Sequence, residues 1–189
     1  TGVISGTATD ESSALEKVEL TLRRWVDNYY YTGSDWQPAE YWLMATGADN
    51  WSYAFTPTDG MTYTARSRAV DMSGNVQTVY GSSIFSYDLQ SPDSQVGTQG
   101  YYSAVTWTGS ITGTATDGAS GVLGVAITLQ RSSDNRYWNG SAWQIAQTWV
   151  TTTGAMTWTY PFIPDSGLTY TTTSRAVDTA GNTETTYGS

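Results

Sequence analysis

The sequence predicts an all-β chain built as two tandem antiparallel β-sandwich units. The first observation behind this is an internal duplication. Ile4-Ser-Gly-Thr-Ala-Thr-Asp10 returns as Ile111-Thr-Gly-Thr-Ala-Thr-Asp117, and Ser67-Arg-Ala-Val-Asp71 returns as Ser174-Arg-Ala-Val-Asp178. Residues 1–82 align on 108–189 without a gap at an offset of 107, with 44 identical positions. That period is far longer than a solenoid repeat, so the duplicated object is a whole domain. The second observation is alternation of apolar and polar residues with a period of two along most segments, the signature of half-buried strands. The third is that no segment sustains a helical period.

The elements follow in order. Ile4, Gly6 and Ala8 alternate with Ser5, Thr7 and Thr9; Val18, Leu20 and Leu22 alternate with Glu19, Thr21 and Arg23, a pattern repeated by Val125, Ile127 and Leu129. Asn139-Gly140, between Tyr137-Trp138 and Ser141-Ala142-Trp143, predicts a two-residue hairpin turn. Trp51, Tyr53 and Phe55 share one strand face, as do Trp158, Tyr160 and Phe162, and Tyr63, Ala65, Ser67 and Ala69 share another. About seven strands in roughly 100 residues suit a two-sheet sandwich. Residues 83–107 occur once and must hold the last strand of the first unit, a linker centred on residues 87–93, and the first strand of the second. The units are therefore placed at 1–90 and 91–189, the first missing its opening strand.

Composition excludes several functions. Among 189 residues there is no Cys, which removes disulfides, thiolate nucleophiles and cysteine-bound metals. There is no His either, and with it go the commonest general base and transition-metal ligand. A net charge of -9 repels phosphate backbones, so nucleic acid is not an expected partner. The same charge suits hard cations held by oxygen, such as calcium. No apolar run is long enough to span a membrane as a helix. The opening Thr1-Gly2-Val3-Ile4 lacks a basic stretch leading into an apolar one, so the chain reads as an excised or processed piece without a signal peptide. Aromatics reach 14%, with 9 Trp and 14 Tyr, too many for a disordered chain.

The pattern Gly-Thr-Ala-Thr-Asp, an alternating strand, then Tyr-Thr-x-x-Ser-Arg-Ala-Val-Asp-x-x-Gly-Asn resembles the bacterial Ig-like domains strung along large surface proteins and adhesins. It covers both units. The resemblance implies Ig-like, fibronectin type III-like Greek-key sandwiches. It also implies an extracellular, cell-surface location, a non-catalytic stalk or spacer role, and neighbouring Ig-like repeats in the same polypeptide as partners, often with calcium between modules. Tyr63 and Tyr170 stand where such domains place a corner-forming tyrosine. The aromatic insertion between the third and fifth strands departs from a plain spacer.

Two groups of residues could carry function. Asp10, Asp71 and Asn75 recur as Asp117, Asp178 and Asn182, and in an Ig-like sandwich the two aspartates end strands at the same pole. In the second unit they should approach the linker carboxylates Asp88 and Asp93, making an interdomain calcium site (Ca2+) that stiffens the joint. The competing reading is that these residues only shape turns. The second group is aromatic: Tyr30, Trp36, Trp42, Trp138 and Trp143 could stack on sugar rings, making a carbohydrate-binding module with glycans as ligands, or could pack across strands. Paired acids near Asp27 and Asp134 suggest a glycosidase only faintly, and an enzyme is not expected. A further alternative is strand exchange between chains at the first unit's open groove.

Overall fold

The computed structural model describes residues 2–189. Sixteen strands are present, with no helix among the described residues. The chain divides into two compact units between Tyr87 and Asp88, which places Asp88 in the second.

In the first unit, β1 (Gly2–Thr7) pairs with β6 (Asn50–Phe55) to make one sheet. The facing sheet has β2 (Leu15–Arg24) at its centre, paired with β7 (Met61–Asp71), which in turn pairs with β8 (Gly81–Tyr87). The short strands β3 (Tyr30–Tyr31), β4 (Trp36–Gln37) and β5 (Leu43–Met44) extend it on the other side of β2. The chain crosses between sheets from β1 to β2, from β5 to β6 and from β6 to β7, the Greek-key path.

The second unit repeats this plan. One sheet holds β9 (Asp93–Val96), β10 (Ser110–Thr116) and β15 (Thr157–Pro161), with β10 in the middle. The other is centred on β11 (Val122–Arg131), which pairs with β16 (Tyr170–Asp178), β12 (Arg136–Trp138) and β14 (Val150–Thr151); β13 (Trp143–Gln144) closes a hairpin with β12. Inward residues of both sheets meet between them. Val18, Leu20, Leu22, Trp51, Phe55 and Tyr63 fill the first core; Val125, Ile127, Leu129, Trp158 and Ile111 fill the second, joined by Val96 from β9. Period-two alternation therefore marks the core face of each of these strands, although on the central strands the opposite face is also covered at Thr21 and Thr128.

The hairpin between β12 and β13 corrects one expectation. Trp138 faces Trp143, so the loop is the four residues 139–142 and not Asn139-Gly140 alone. The Asn139 carboxamide oxygen accepts the amides of Ser141 and Ala142, and the Asn139 amide donates to the Ala142 carbonyl. Gly140 takes the left-handed conformation this turn needs, at φ 102. Asn's ability to organise the loop by its own side chain replaces the tight two-residue turn.

Candidate metal centre

Each unit carries the same Asp turn after its longest strand pair. In the first, Asp71 ends β7 and its Oδ1 accepts the amides of Ser73 and Asn75, while Oδ2 accepts the Asn75 side chain at 2.7 Å. These bonds, led by the Asn75 side chain, hold the Asp71 carboxyl below its ordinary pKa. Asp10 accepts the amides of Ser12 and Ser13, and these hold it low as well. Asn75 is thus a donor to the carboxylate, occupied in shaping the turn.

In the second unit Asp178 is fully buried and accepts the amide and side chain of Asn182. Asp117 follows β10 by one residue, and its Oδ2 accepts the amides of Ala119 and Gly121. Asp88 is 6% exposed and accepts Gln90 and Ser120 amides on its two oxygens. Hydrogen bonding from Ser120 is the main reason that the Asp88 carboxyl sits below its ordinary pKa, and it outweighs burial. The Asn182 side chain also donates to the Asp88 carbonyl, tying the segment that leads into the unit to the Asp turn.

Carboxylate oxygens of Asp88, Asp117 and Asp178 lie within 4.8 Å of one another. At an effective dielectric near 20, each such pair of full charges costs about 3 kcal/mol. The second carboxylate oxygen of Asp117, Oδ1, is buried and has no hydrogen-bond partner. A buried acceptor left unpaired is costly, and a cation among the three carboxylates would remove both penalties. The donor set is hard oxygen throughout, backed by amides and an Asn that fix the carboxylates' orientation, and so it fits calcium and not a nitrogen- or sulfur-preferring metal.

The sequence expectations sort as follows. Asp88, Asp117 and Asp178 are brought together, with Asn182 bracing them; all four belong to the second unit, so the cluster lies within it and not between units. Asp93 stays outside: it opens β9 on the exposed face, where its Oδ2 meets the Gln95 side chain at 3.5 Å. Asp10 and Asp71 lie in the first unit without a third acid in their group among the described residues. Asp27 and Asp134 are each gripped by the arginine three residues before it, Arg24 or Arg131.

That grip also accounts for the aromatic group. Arg24, oriented by Asp27, lies 4.5 Å over the Trp36 ring, whose plane stacks on Tyr63 at 5.9 Å. Arg131, Trp143 and Tyr170 repeat the stack at 4.6 and 5.8 Å. Trp42 lies under Arg68 at 3.9 Å and edge-on to Tyr80. Trp138 contacts Trp143 and donates its indole N–H to the Tyr160 hydroxyl, and Tyr30 is half-buried in the β2–β3–β4 ladder. Both ring faces that would stack on a sugar are thus covered at Trp36 and Trp143, and one face of Trp42 is covered by Arg68. The Tyr63 hydroxyl accepts the Thr58 amide and the Tyr170 hydroxyl accepts the Asp165 amide, which makes both of them corner tyrosines.

Sequence reasoning missed Glu184. It is 3% exposed, and its carboxylate accepts the amides of Ser94 and Ala176 and the Ser94 hydroxyl. The only signal was that Gln77 stands at the equivalent position.

The fold and these turns define a pair of tandem Ig-like β-sandwiches. No protein-family model matches the chain, and no curated protein does. Among solved structures it is similar to a tetra-tandem repeat in the extending region of a large adhesion protein, at 20% identity and a TM-score of 0.41, over 98% of this chain and 44% of that one. It is also similar to a Ca2+-stabilized adhesin that helps an Antarctic bacterium reach out and bind ice, at 18% identity and a TM-score of 0.32, over 98% and 42%. This chain spans less than half the length of either.

Proposed function

We propose that the chain is a non-catalytic spacer segment of a repetitive extracellular surface protein or adhesin, flanked by further repeats of its kind and braced by calcium in its second unit. The observation that carries the calcium reading is the carboxylate triad of Asp88, Asp117 and Asp178 with the unpartnered Asp117 oxygen. The spacer reading is supported by the exact-offset duplication of a whole sandwich, which adds length. Bound calcium would supply positive charge to three crowded carboxylates. The protein's own part is to aim them. Asn182 and the Ser120, Gly121 and Gln90 amides hold the oxygens in place, and Asn182 fixes the segment around Asp88 against the Asp turn.

The test is a thermal melt of chelated protein, with and without calcium at fixed ionic strength, beside a calcium titration by calorimetry. A ligand that binds only the folded state raises stability by about 2.7 kcal/mol at a hundredfold excess over its Kd. A calcium-specific rise with saturable heat supports the reading. An unchanged melt at millimolar calcium sinks it and leaves the aspartates as turn formers.

A further inference from the structure

The outer face of the larger sheet carries a complete ion cluster in the first unit and part of one in the second. In the first, Arg68 of β7 lies 3.9 Å over the Trp42 ring, and Trp42 meets Tyr80 edge-on at 5.1 Å. The cross-strand partner of Arg68 on β2 is Glu19. Glu19 Oε2 accepts the Arg68 Nε–H at 2.8 Å and meets a terminal guanidinium nitrogen at 2.7 Å. Its other oxygen, Oε1, pairs with Lys17 at 2.9 Å. A guanidinium lying flat on a ring, with a carboxylate at its edge, is the arrangement that suits arginine best.

The second unit keeps the platform and lacks the acid. Arg175 of β16 lies 4.3 Å over Trp149, and Trp149 meets Tyr187 edge-on at 5.2 Å. The cross-strand partner of Arg175 on β11 is Ala126, and Gly124 stands at the place of Lys17. Arg175 has no ion pair among the described residues, and its Nε is buried without a hydrogen-bond partner. A buried donor left unpaired is costly, the more so on a charged group. The cause is the pair of substitutions on β11, since Trp149 and Tyr187 keep the places of Trp42 and Tyr80.

The surroundings leave room for an acid and do not repel one. A Cβ on Gly124 would meet nothing within 4 Å. Ala126 is half-buried, and Thr151, opposite it on β14, is exposed. The neighbouring outward positions of β11 and β16 hold Thr128, Gln130, Thr171 and Thr173, none of them acidic.

We propose that Arg175 on its Trp149 platform binds a small organic carboxylate, seated over Ala126 where the first unit has its own Glu19 side chain. One carboxylate oxygen takes the edge of the guanidinium, as Glu19 Oε2 does at Arg68, and supplies the acceptor that the Arg175 Nε lacks. Because that Nε is covered in the chain alone, the guanidinium slides on the ring as the acid enters. The second oxygen, with no lysine to meet, stays in water above Gly124. The space is that of one glutamate side chain, so the ligand class is a short aliphatic acid. Propionate is that side chain as a free molecule.

The test follows the Arg175 Nε–H resonance by heteronuclear NMR of the full chain at neutral pH. Calcium is removed by resin, since common chelators are themselves carboxylates, and the outcome then does not depend on the calcium reading. Arg175→Lys assigns the peak. Propionate is titrated against sodium chloride at equal ionic strength. The expected result is a saturable shift of the Arg175 peak at tens of millimolar propionate, while the Arg68 peak stays in place. Ala126→Glu installs the residue of the first unit; its Arg175 peak should be displaced without ligand, and its propionate response should fall at least tenfold. An unmoved Arg175 peak, an equal shift with chloride, an equal shift of the Arg68 peak, or an undiminished response in Ala126→Glu would each overturn the proposal. The titration of the unaltered chain decides alone should that variant fail to fold.

Discussion

Asp117 and Asp10 are the same residue 107 positions apart, and their settings differ by one neighbour. Asp117 shares its site with Asp88 and Asp178 and keeps one oxygen unpartnered; Asp10 has both serine amides and no such crowd. Replacing Asp117 by Asn should therefore raise the melting temperature of the calcium-free protein by relieving like-charge repulsion, and should abolish the calcium-dependent rise. Asp10→Asn should leave the calcium response intact. Paired melts of the two variants check both. Glu184→Ala should cost about 2–4 kcal/mol, because it strips acceptors from the buried amides of Ser94 and Ala176; urea unfolding measures it. At this scale the triad was half legible. The repeated aspartates and Asp88 stood out by duplication and by the linker's position. Asp93 was misplaced because the phase of β9 decides which of its residues point inward. Ser94 and Val96 take the buried face, which turns Asp93 out. Glu184 was not legible, since a single acid at the end of a repeat gives no hint that it is buried under a strand about 90 residues away.

Among the elements, β9 is held by more than its ladder. Gly113→Ala should destabilise the second unit by about 1–3 kcal/mol, since the methyl meets the Gln95 backbone as well as Trp158. Gly6→Ala, whose added methyl finds the Trp51 ring and no backbone as its nearest neighbours, should cost less. Thermal or urea melts of the two variants compare them. Tyr170→Phe should cost about 1 kcal/mol by orphaning the Asp165 amide. The strands were legible because alternation maps directly onto a sandwich with one wet face. The Arg24–Trp36–Tyr63 stack was not, since residues twelve and thirty-nine positions from Arg24 converge only once β2, β4 and β7 are placed. The 139–142 loop was misjudged because Asn-Gly also serves in longer turns, where the Asn side chain and not the main chain sets the geometry.

The whole molecule carries its acids mainly on turns, and this fixes its response to pH. Asp10, Asp71, Asp27, Asp134 and Asp88 all titrate lower in the folded chain than their ordinary value. The unfolded chain therefore takes up protons first on acidification. The stability these groups add is complete above the ordinary carboxylate range and drains away as pH falls through the folded values. Urea midpoints measured from pH 7 down to pH 3 should fall steeply only at the acid end.

Glu184 and Ser94 lie 90 residues apart in the chain but share two hydrogen bonds in the folded unit. During synthesis Ser94 emerges long before Glu184, at about 5–20 residues per second. The opening strand must wait several seconds, its edge uncovered, for the acid that staples it. Until then the Ser94 amide and hydroxyl have water as their partner in place of the Glu184 carboxylate.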